Sequence, residues 1–577
     1  MNNTLPKRYR ILILDAEFPS ALTILRSLCS KGLYCDIGCA DSNPISQYSR
    51  YGHQSFCYPD PLVETAAFID FICQLLRKNN YDLVFPVTER SLIPLAQSTK
   101  LDPWRDRLAI ADLNSLKQVL DKSQTLALAQ RCQIPVPYSH EITTLTELED
   151  IATQLDYPVV LKPGQSIPNA DIRRQLSVCY AHTATDLINL GQNLLPYCSL
   201  LVQQYVRGDG TGIELLSSHG EVVYAFQHQR LHELPLTGGG SCYRKSITIN
   251  PLLLDASRKL IASLNWHGVA MVEFKWQPET GEYWLMEING RFWGSLPLAY
   301  AAGADFPYML YDLLVNQRLP QSQAYRENIY CRKLSADIHW YEQVLRRSGD
   351  ERLVRYPTNK QLITDLLFLI HPTRHFFDVQ NWLDPLPGIV DLYRLIKQSV
   401  QRFSDLLYIK GLSKLHQSHW FKAKLYRRLK SVRSILFLCY GNINRSSLAK
   451  VLAEKHYANT AIHFDSAGFH LVEGRPADPA MVNIAAEYDI DLSDCSSKTI
   501  NNSLLKQADI IFVMEIQQYI YMKNTYPKFT QKVFLLGSFN SSPDLDISDP
   551  YNQSLDTYRN CFLTITNAIE NLKLDQS

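Results

Sequence analysis

The chain reads as a multidomain α/β protein, with a doubly wound parallel sheet expected at each end and a strand-rich stretch between them. Three observations lead there. At 577 residues the chain exceeds what one hydrophobic core organises, so three or more domains are expected. An apolar run over residues 10–14, a helical pattern over 19–31 and a second apolar run over 34–39 follow one another closely, the opening of a doubly wound sheet. A second apolar run over 434–439, leading into a helical pattern through about residue 456, starts another.

Composition excludes several classes. Lys and Arg number 58 against 57 Asp and Glu, a net charge of +1, and nothing in that balance points to a nucleic-acid partner. Thirteen cysteines are scattered with no CxxC pair, which argues for a reducing compartment and against zinc or a disulfide framework. The first residues are polar and run directly into a strand, so no signal peptide is expected. The longest apolar run, around 366–370, is too short to span a membrane. These features together predict a cytoplasmic protein.

The first strand is followed by Asp15 and a helix that Gly32 ends. No GxGxxG follows that strand, so no dinucleotide site is expected. A strand over 81–86 delivers Thr88 and Glu89 to the sheet end that faces the ligand crevice in open α/β folds. Glu89 there can contact a ligand or simply open the next helix. Leu120-Asp-Lys122 opens a helix to residue 131. Tyr157-Pro-Val-Val-Leu-Lys162-Pro163-Gly164 is a short strand with a lysine at its end. Residues 200–208 form a strand running into a glycine turn, and 221–226 form another that carries on to His228 and Arg230. For Arg230 a substrate or phosphate contact and a plain charged strand end are both open. Residues 237–241 form a glycine-rich loop. Strands over 268–274 and 283–294 are joined by a turn at Gly281. On the second of these, Glu287, Asn289 and Arg291 share one face, while Trp284, Met286, Ile288 and Phe292 form the core face.

Asp-Lys122, Val-Leu-Lys162-Pro, Val-Gln203-Gln204-Tyr205-Val206, a strand ending in Glu273, and Glu287-Ile-Asn289-Gly-Arg291 occur in the order of the ATP-grasp ligases. Over about residues 10–320 the chain resembles the carbamoyl-phosphate-synthetase-like, carboxylate–amine ligase members. The resemblance implies a Rossmann-like domain over 1–115 and an ATP-grasp domain over 116–325. It implies that Lys122 and Lys162 neutralise ATP phosphates, and that backbone groups of Gln203, Gln204, Tyr205 and Val206 read the adenine edge. Glu273, Glu287 and Asn289 would hold Mg2+, with Mn2+ as a substitute, and Arg291 would stabilise the phosphoryl group as it passes to a carboxylate. ATP, a small carboxylate and an amine are the implied ligands. Only Gly164 stands where many members place a richer glycine loop, so 237–241 is expected to cover the phosphates instead.

Residues 326–433 read as a helical extension and basic linker, with a loop over 384–388 and a helical pattern over 390–400. Residues 419–433 interleave basic and apolar residues. Such a helix either docks its apolar face on a neighbour or rests weakly on an anionic membrane surface.

In Cys439-Tyr-Gly441-Asn442-Ile-Asn-Arg445-Ser446 the backbone must curl between strand and helix with its N–H groups inward, a geometry that binds a tetrahedral oxyanion. Arg445 can clamp two phosphate oxygens, and the positive surroundings suit Cys439 to nucleophilic attack. With Asp465-Ser-Ala-Gly468, Gly474-Arg-Pro-Ala-Asp478 and Asp549-Pro-Tyr551 downstream, residues 434–577 closely resemble the low-molecular-weight protein tyrosine phosphatases. The resemblance implies hydrolysis of a tyrosine-phosphorylated protein through a phosphocysteine. Asp549 would be the proton donor, Asn442 the loop brace, Ser446 a hydrogen-bond partner of the thiolate, and Tyr551 a wall of the cleft. Asn444 replaces the family's second cysteine, so the protective disulfide cannot form there, and Ser447 stands where proline is usual. Arsenate reductases share that fold, but Cys495 and Cys561 are far apart in sequence and do not suggest their cysteine shuttle.

The chain is therefore expected to be a bifunctional enzyme. Two other readings are a nucleotide-binding module that regulates a phosphatase, and a membrane-surface scaffold for polysaccharide or peptide assembly. A fragment beginning near Ser431 is expected to fold alone.

Overall fold

The computed structural model describes residues 9–164, 178–321, 323–371, 373–470, 472–540, 545–551, 553 and 555–574. The chain divides into two compact units, Met1–Ile396 and Lys397–Ser577.

The first unit opens with β1 (Arg10–Ile13), β2 (Tyr34–Cys39), β3 (Ser55–Cys57) and β4 (Leu83–Phe85), all parallel in the order β3-β2-β1-β4. The central strands are apolar on both faces because helices cover both sides of such a sheet. At the end of β1, Asp15 takes a left-handed backbone and buries its carboxylate. That carboxylate accepts hydrogen bonds from the N–H groups of Val87 (3.1 Å) and Thr88 (2.7 Å) and from the hydroxyls of Thr88, Ser91 and Tyr58. Asp15 thus ties β1 to the start of the helix Glu89–Gln97.

A smaller antiparallel sheet follows: β5 (Ser139–Ile142), β6 (Val159–Pro163), β7 (Cys179–Ala181) and β8 (Leu200–Gln204), in the order β5-β8-β6-β7. The third sheet holds seven strands: β9 (Asp209–Ser218), β10 (Glu221–Leu234), β11 (Gly240–Ile247), β12 (Gly268–Trp276), β13 (Tyr283–Asn289), β14 (Tyr330–Arg332) and β15 (His375–Phe377). Its order is β13-β12-β9-β10-β11-β14-β15.

Beyond residue 326 the chain supplies the last two strands of this sheet, where the sequence pattern suggested only helices and linker. Buried ion pairs pin the segment, Arg244 with Asp378 at 2.6 Å and Arg26 with Asp384 at 2.9 Å. Such pairs specify one docking because either partner left alone in the interior is costly. The loop expected over 384–388 is instead the start of one long helix, Pro385–Gln417, since proline is tolerated in a first helical turn.

The second unit carries β16 (Ser434–Cys439), β17 (His463–Gly468), β18 (Ile510–Val513) and β19 (Val533–Leu535), parallel in the order β17-β16-β18-β19. The basic helix is formed over His419–Leu429. Its apolar face is not free for a membrane: Leu425 and Leu429 are buried in the unit's core, with Phe421 and Tyr426 packed against it. The weak membrane contact expected through 419–433 could not use these residues, whose apolar surface is spent on packing, although Trp420 is exposed. Among the described residues no helix is long and apolar enough to cross a membrane.

Candidate functional sites

β16 ends at Cys439, and the helix Arg445–His456 begins six residues later. Asn442 adopts φ 53°, which turns its N–H onto the Cys439 sulfur at 3.2 Å. Its side-chain amide donates to the hydroxyls of Ser446 (2.9 Å), Ser466 (3.0 Å) and Ser447 (3.3 Å), and its side-chain carbonyl accepts from the Lys498 N–H at 2.8 Å. Asn442 thereby joins the loop to Ser466 and Lys498. Ser446 Oγ lies 3.0 Å from the Cys439 sulfur. Ser447, in the usual proline position, donates its hydroxyl to the Asn442 backbone carbonyl at 2.7 Å and adds a tie proline would lack. Gly468 has to be glycine: a Cβ there would stand 2.8 Å from the Tyr440 oxygen and 3.0 Å from the Asn442 nitrogen. Arg475 holds the Gly441 carbonyl at 2.6 Å.

Arg445 is fully buried. It donates to the Ile547 carbonyl at 2.8 Å and pairs with Glu515 at 3.2 Å and with Asp549. Burial alone would lower its basicity, but the facing Cys439, Asp549 and Glu515 outweigh that and raise it. A phosphate entering the loop would thus take the place of Asp549 and Glu515 on the guanidinium. Asp549 is part-exposed and accepts the Tyr551 N–H at 3.3 Å, while the rings of Tyr551 and Tyr440 are exposed at the surface. Asn444 is buried with its amide 3.4 Å from Asp478, which also caps the helix Pro479–Ala486 and accepts from the Tyr558 hydroxyl at 2.9 Å. Burial pushes the Cys561 thiol up to about 12, the reverse of what a resolving thiolate needs. Sequence reasoning missed Glu515, Ser466 and Arg475 as members of this site. Ser466 and Arg475 lie within the quoted motifs, whereas Glu515 gave no such signal.

The second site lies in the first unit. Glu273 of β12 stands opposite Glu287 of β13 in register. The Asn289 amide donates to Glu273 at 3.0 Å and to Glu287 at 3.2 Å. Arg230 of β10 pairs with Glu273 and with Glu233 (3.3 Å), and it holds the Gly239 carbonyl at 3.1 Å. Gly210 makes room for this, since a Cβ there would meet Glu233 at 2.6 Å and Arg230 at 2.8 Å. Glu233 was missed. It lies three residues from Arg230, and only a β-bulge between them, seen as register shifts around His232, brings the two to one side.

Lys162, at the end of β6, is half-buried. Burial pushes its amine down to about 8; Lys122 and Lys275 add to the drop, while Glu287 and Glu273 partly restore it. Lys122 donates to the Pro163 carbonyl at 3.1 Å, which ties its helix Lys122–Arg131 to β6. Lys162 therefore stands near the two glutamates, with Lys122 beside it at the end of β6.

Two expectations are revised. Arg291 lies past the end of β13 and turns to Glu89 at 3.2 Å, so the strand face it was assigned to stops at Asn289. Arg230 is the arginine that meets the glutamates. In the hinge, Gln203 is buried and paired in register on both sides, with its side-chain amide on Ser139 at 2.9 Å, and the Gln204 N–H goes to the Tyr138 carbonyl at 2.8 Å. β8 ends at Gln204, so Tyr205 and Val206 are the hinge residues beyond the strand. The glycine-loop position after Gly164 falls in 165–177, outside the described residues.

The cluster fits a divalent cation of the magnesium type. Two carboxylates on adjacent strands and one amide form a hard-oxygen set, and turning the Asn289 amide over aims its oxygen where its NH2 now points.

Two family models match the chain. Low molecular weight phosphotyrosine protein phosphatase covers residues 434–576, and "ATP-grasp in the biosynthetic pathway with Ter operon" covers 197–336. The "Probable low molecular weight protein-tyrosine-phosphatase EpsP" of Ralstonia nicotianae is 32% identical over 139 residues, 24% of this chain and 92% of that protein. The low molecular weight protein-tyrosine-phosphatase Wzb of Escherichia coli is 30% identical over 125 residues, 22% of this chain and 82% of that protein. A biotin carboxylase structure from Campylobacter jejuni overlaps 56% of this chain and 74% of its own at 16% identity, with a TM-score of 0.45.

Fold and site thus define a two-part protein, a phosphatase with a cysteine–arginine phosphate loop joined to an ATP-grasp domain. Through residues 434–576 the chain belongs to the low-molecular-weight protein tyrosine phosphatase family.

Proposed function

We infer that the second unit hydrolyses phosphotyrosine through a phosphocysteine, and that the first joins a small carboxylate to an amine at the expense of ATP. The observation that carries the first half is the Asn442 N–H and the Ser446 hydroxyl both set on the Cys439 sulfur. Donors so placed hold a thiolate ready for in-line attack on phosphorus. The phosphoryl group passes to sulfur, and Asp549 gives its proton to the departing phenolic oxygen. Asp549 then takes a proton from the water that releases phosphate. Arg445 and the loop N–H groups offset the charge on the phosphoryl oxygens throughout.

For the first unit, support comes from Lys162, Lys122 and Arg230 set around Glu273, Glu287 and Asn289. Mg2+ bound to that trio would shield the nucleotide phosphates. The lysines would position the γ-phosphoryl group for transfer to a carboxylate, and the amine would displace phosphate from the resulting acyl phosphate. Tyr205 and Val206 would meet the adenine edge.

Cys439→Ser should abolish hydrolysis of an aryl phosphate while phosphate still binds, because Arg445 and the loop amides remain. Turnover retained in that variant would refute the phosphocysteine. A screen for ADP formation across amino acids, with Glu287→Gln as the control, tests the ligase. ADP release that no carboxylate and amine pair stimulates would turn the first unit into a regulatory nucleotide module.

A further inference from the structure

Pro385–Gln417 is a single helix of 33 residues. Ile389, Tyr393, Ile396, Val400, Phe403 and Leu407 recur along it at alternating intervals of four and three, a heptad a/d repeat, and each is between 55% and 64% exposed. The opposite side is polar, with Asp391, Arg394, Gln398, Gln401 and Asp405. The contacts of the helix lie off the seam. Within the first unit Asp391 accepts from Gln380 at 2.7 Å, and Arg394 donates to the Asn43 carbonyl at 2.8 Å. Within the second, Tyr408 and Ile409 pack on the core and Lys523 lies 4.2 Å over the Tyr408 ring. Val390 packs on the first unit's core beside these polar contacts, and the apolar seam itself is turned out.

We propose that this seam is a dimer interface, in which the Pro385–Gln417 helices of two copies of this chain pair as a coiled coil. A 3.5-residue period is the one that keeps a seam facing a second helix along its length. The seam from Ile389 to Leu407 runs about 27 Å. With roughly 100 Å2 or more available from each of its side chains, and Leu386 and Leu392 flanking it, two copies would bury about 1,400 Å2, within the range of stable interfaces. One face meeting itself across a two-fold axis closes the assembly, which suits a seam that carries little charge. The next two seam positions are Lys410 and Lys414, and like charges there end the pairing.

The test is sedimentation of the full chain at micromolar concentration. It should run at twice the 66.1 kDa chain mass. Ile396→Glu combined with Phe403→Glu should raise the dissociation constant by ~100-fold or more and give the single-chain mass, because carboxylates would be buried unpaired. Gln398→Glu, on the polar side, should leave the dimer intact. The seam side chains are exposed in the single chain, so helicity by circular dichroism should be unchanged in every variant, which separates lost association from lost folding. A wild-type chain at single mass, or a dimer that survives the double substitution in a folded protein, overturns the proposal. So does a monomeric wild type that binds phosphatidylglycerol vesicles through Ile396 and Phe403, which would make the seam a lipid face.

Discussion

Asp549 illustrates how one side chain can serve two states. In the free enzyme it neutralises the buried Arg445, a partner otherwise costly to leave alone. On the mechanism proposed above, phosphate in the loop would take the guanidinium and free Asp549 for the leaving group. Asp549→Asn should therefore cost about 10²–10⁴-fold with poor leaving groups and much less with activated ones, since a weakly basic leaving oxygen needs no proton. Equal losses across a series of substituted phenyl phosphates would remove Asp549 from that role. Lys162 makes a pH prediction. Its amine is held down to about 8 by burial, so in the free enzyme its charge is present below that pH and lost above it. The KM for ATP should rise as the solution is made more alkaline than that value, and Lys162→Arg, which stays charged, should flatten the profile. A wild-type KM that stays constant through the titration would mean that Lys162 does not meet the phosphates.

At the level of elements, the basic helix His419–Leu429 belongs to the phosphatase. Leu425 and Leu429 are buried in its core, the Tyr426 hydroxyl donates to the Asn571 carbonyl at 3.2 Å, and Arg428 donates to the Gln531 carbonyl at 2.6 Å. A fragment starting near Ser431, expected to fold alone, would lack all of these contacts and should be less stable than one that keeps the helix. Leu429→Ala should cost about 2–5 kcal/mol by denaturant titration, as buried leucines do. A fragment beginning at Ser418 keeps this helix and should be markedly more stable than one beginning at Val432. Equal midpoints for the two fragments would show the helix to be dispensable. The bulge in β10 acts at the same scale: without it Arg230 and Glu233 would point to opposite faces, and their ion pair would be lost.

For the whole molecule, the two sites draw on separate residues. Cys439, Arg445, Glu515 and Asp549 all fall in the second unit, while Lys122, Lys162, Arg230, Glu273, Glu287 and Asn289 fall in the first. The two activities should therefore be separable. A fragment from Ser418 onward should hydrolyse aryl phosphates with the kcat/KM of the full chain, and a fragment ending at Ile396 should bind Mg-ATP. A phosphatase fragment that is folded but inactive until the other fragment and ATP are added would instead favour regulation of one unit by the other.

What was legible in the sequence is what the chain builds locally. The phosphate loop needs one strand end, five residues and one helix start, so the residues that form it follow from motif and spacing. The same holds for Glu287 and Asn289, whose shared face follows from strand period alone. What only the tertiary structure decided joins residues far apart in the chain. It set Arg445 against Glu515 and Asp549, put Arg230 rather than Arg291 beside Glu273, and turned part of the segment after residue 326 into the edge of a seven-stranded sheet. It also used up the apolar face of the basic helix while leaving that of Pro385–Gln417 exposed. The reason is physical: period and local spacing say which side chains share a face, but which faces meet depends on burial and charge pairing summed over the whole fold.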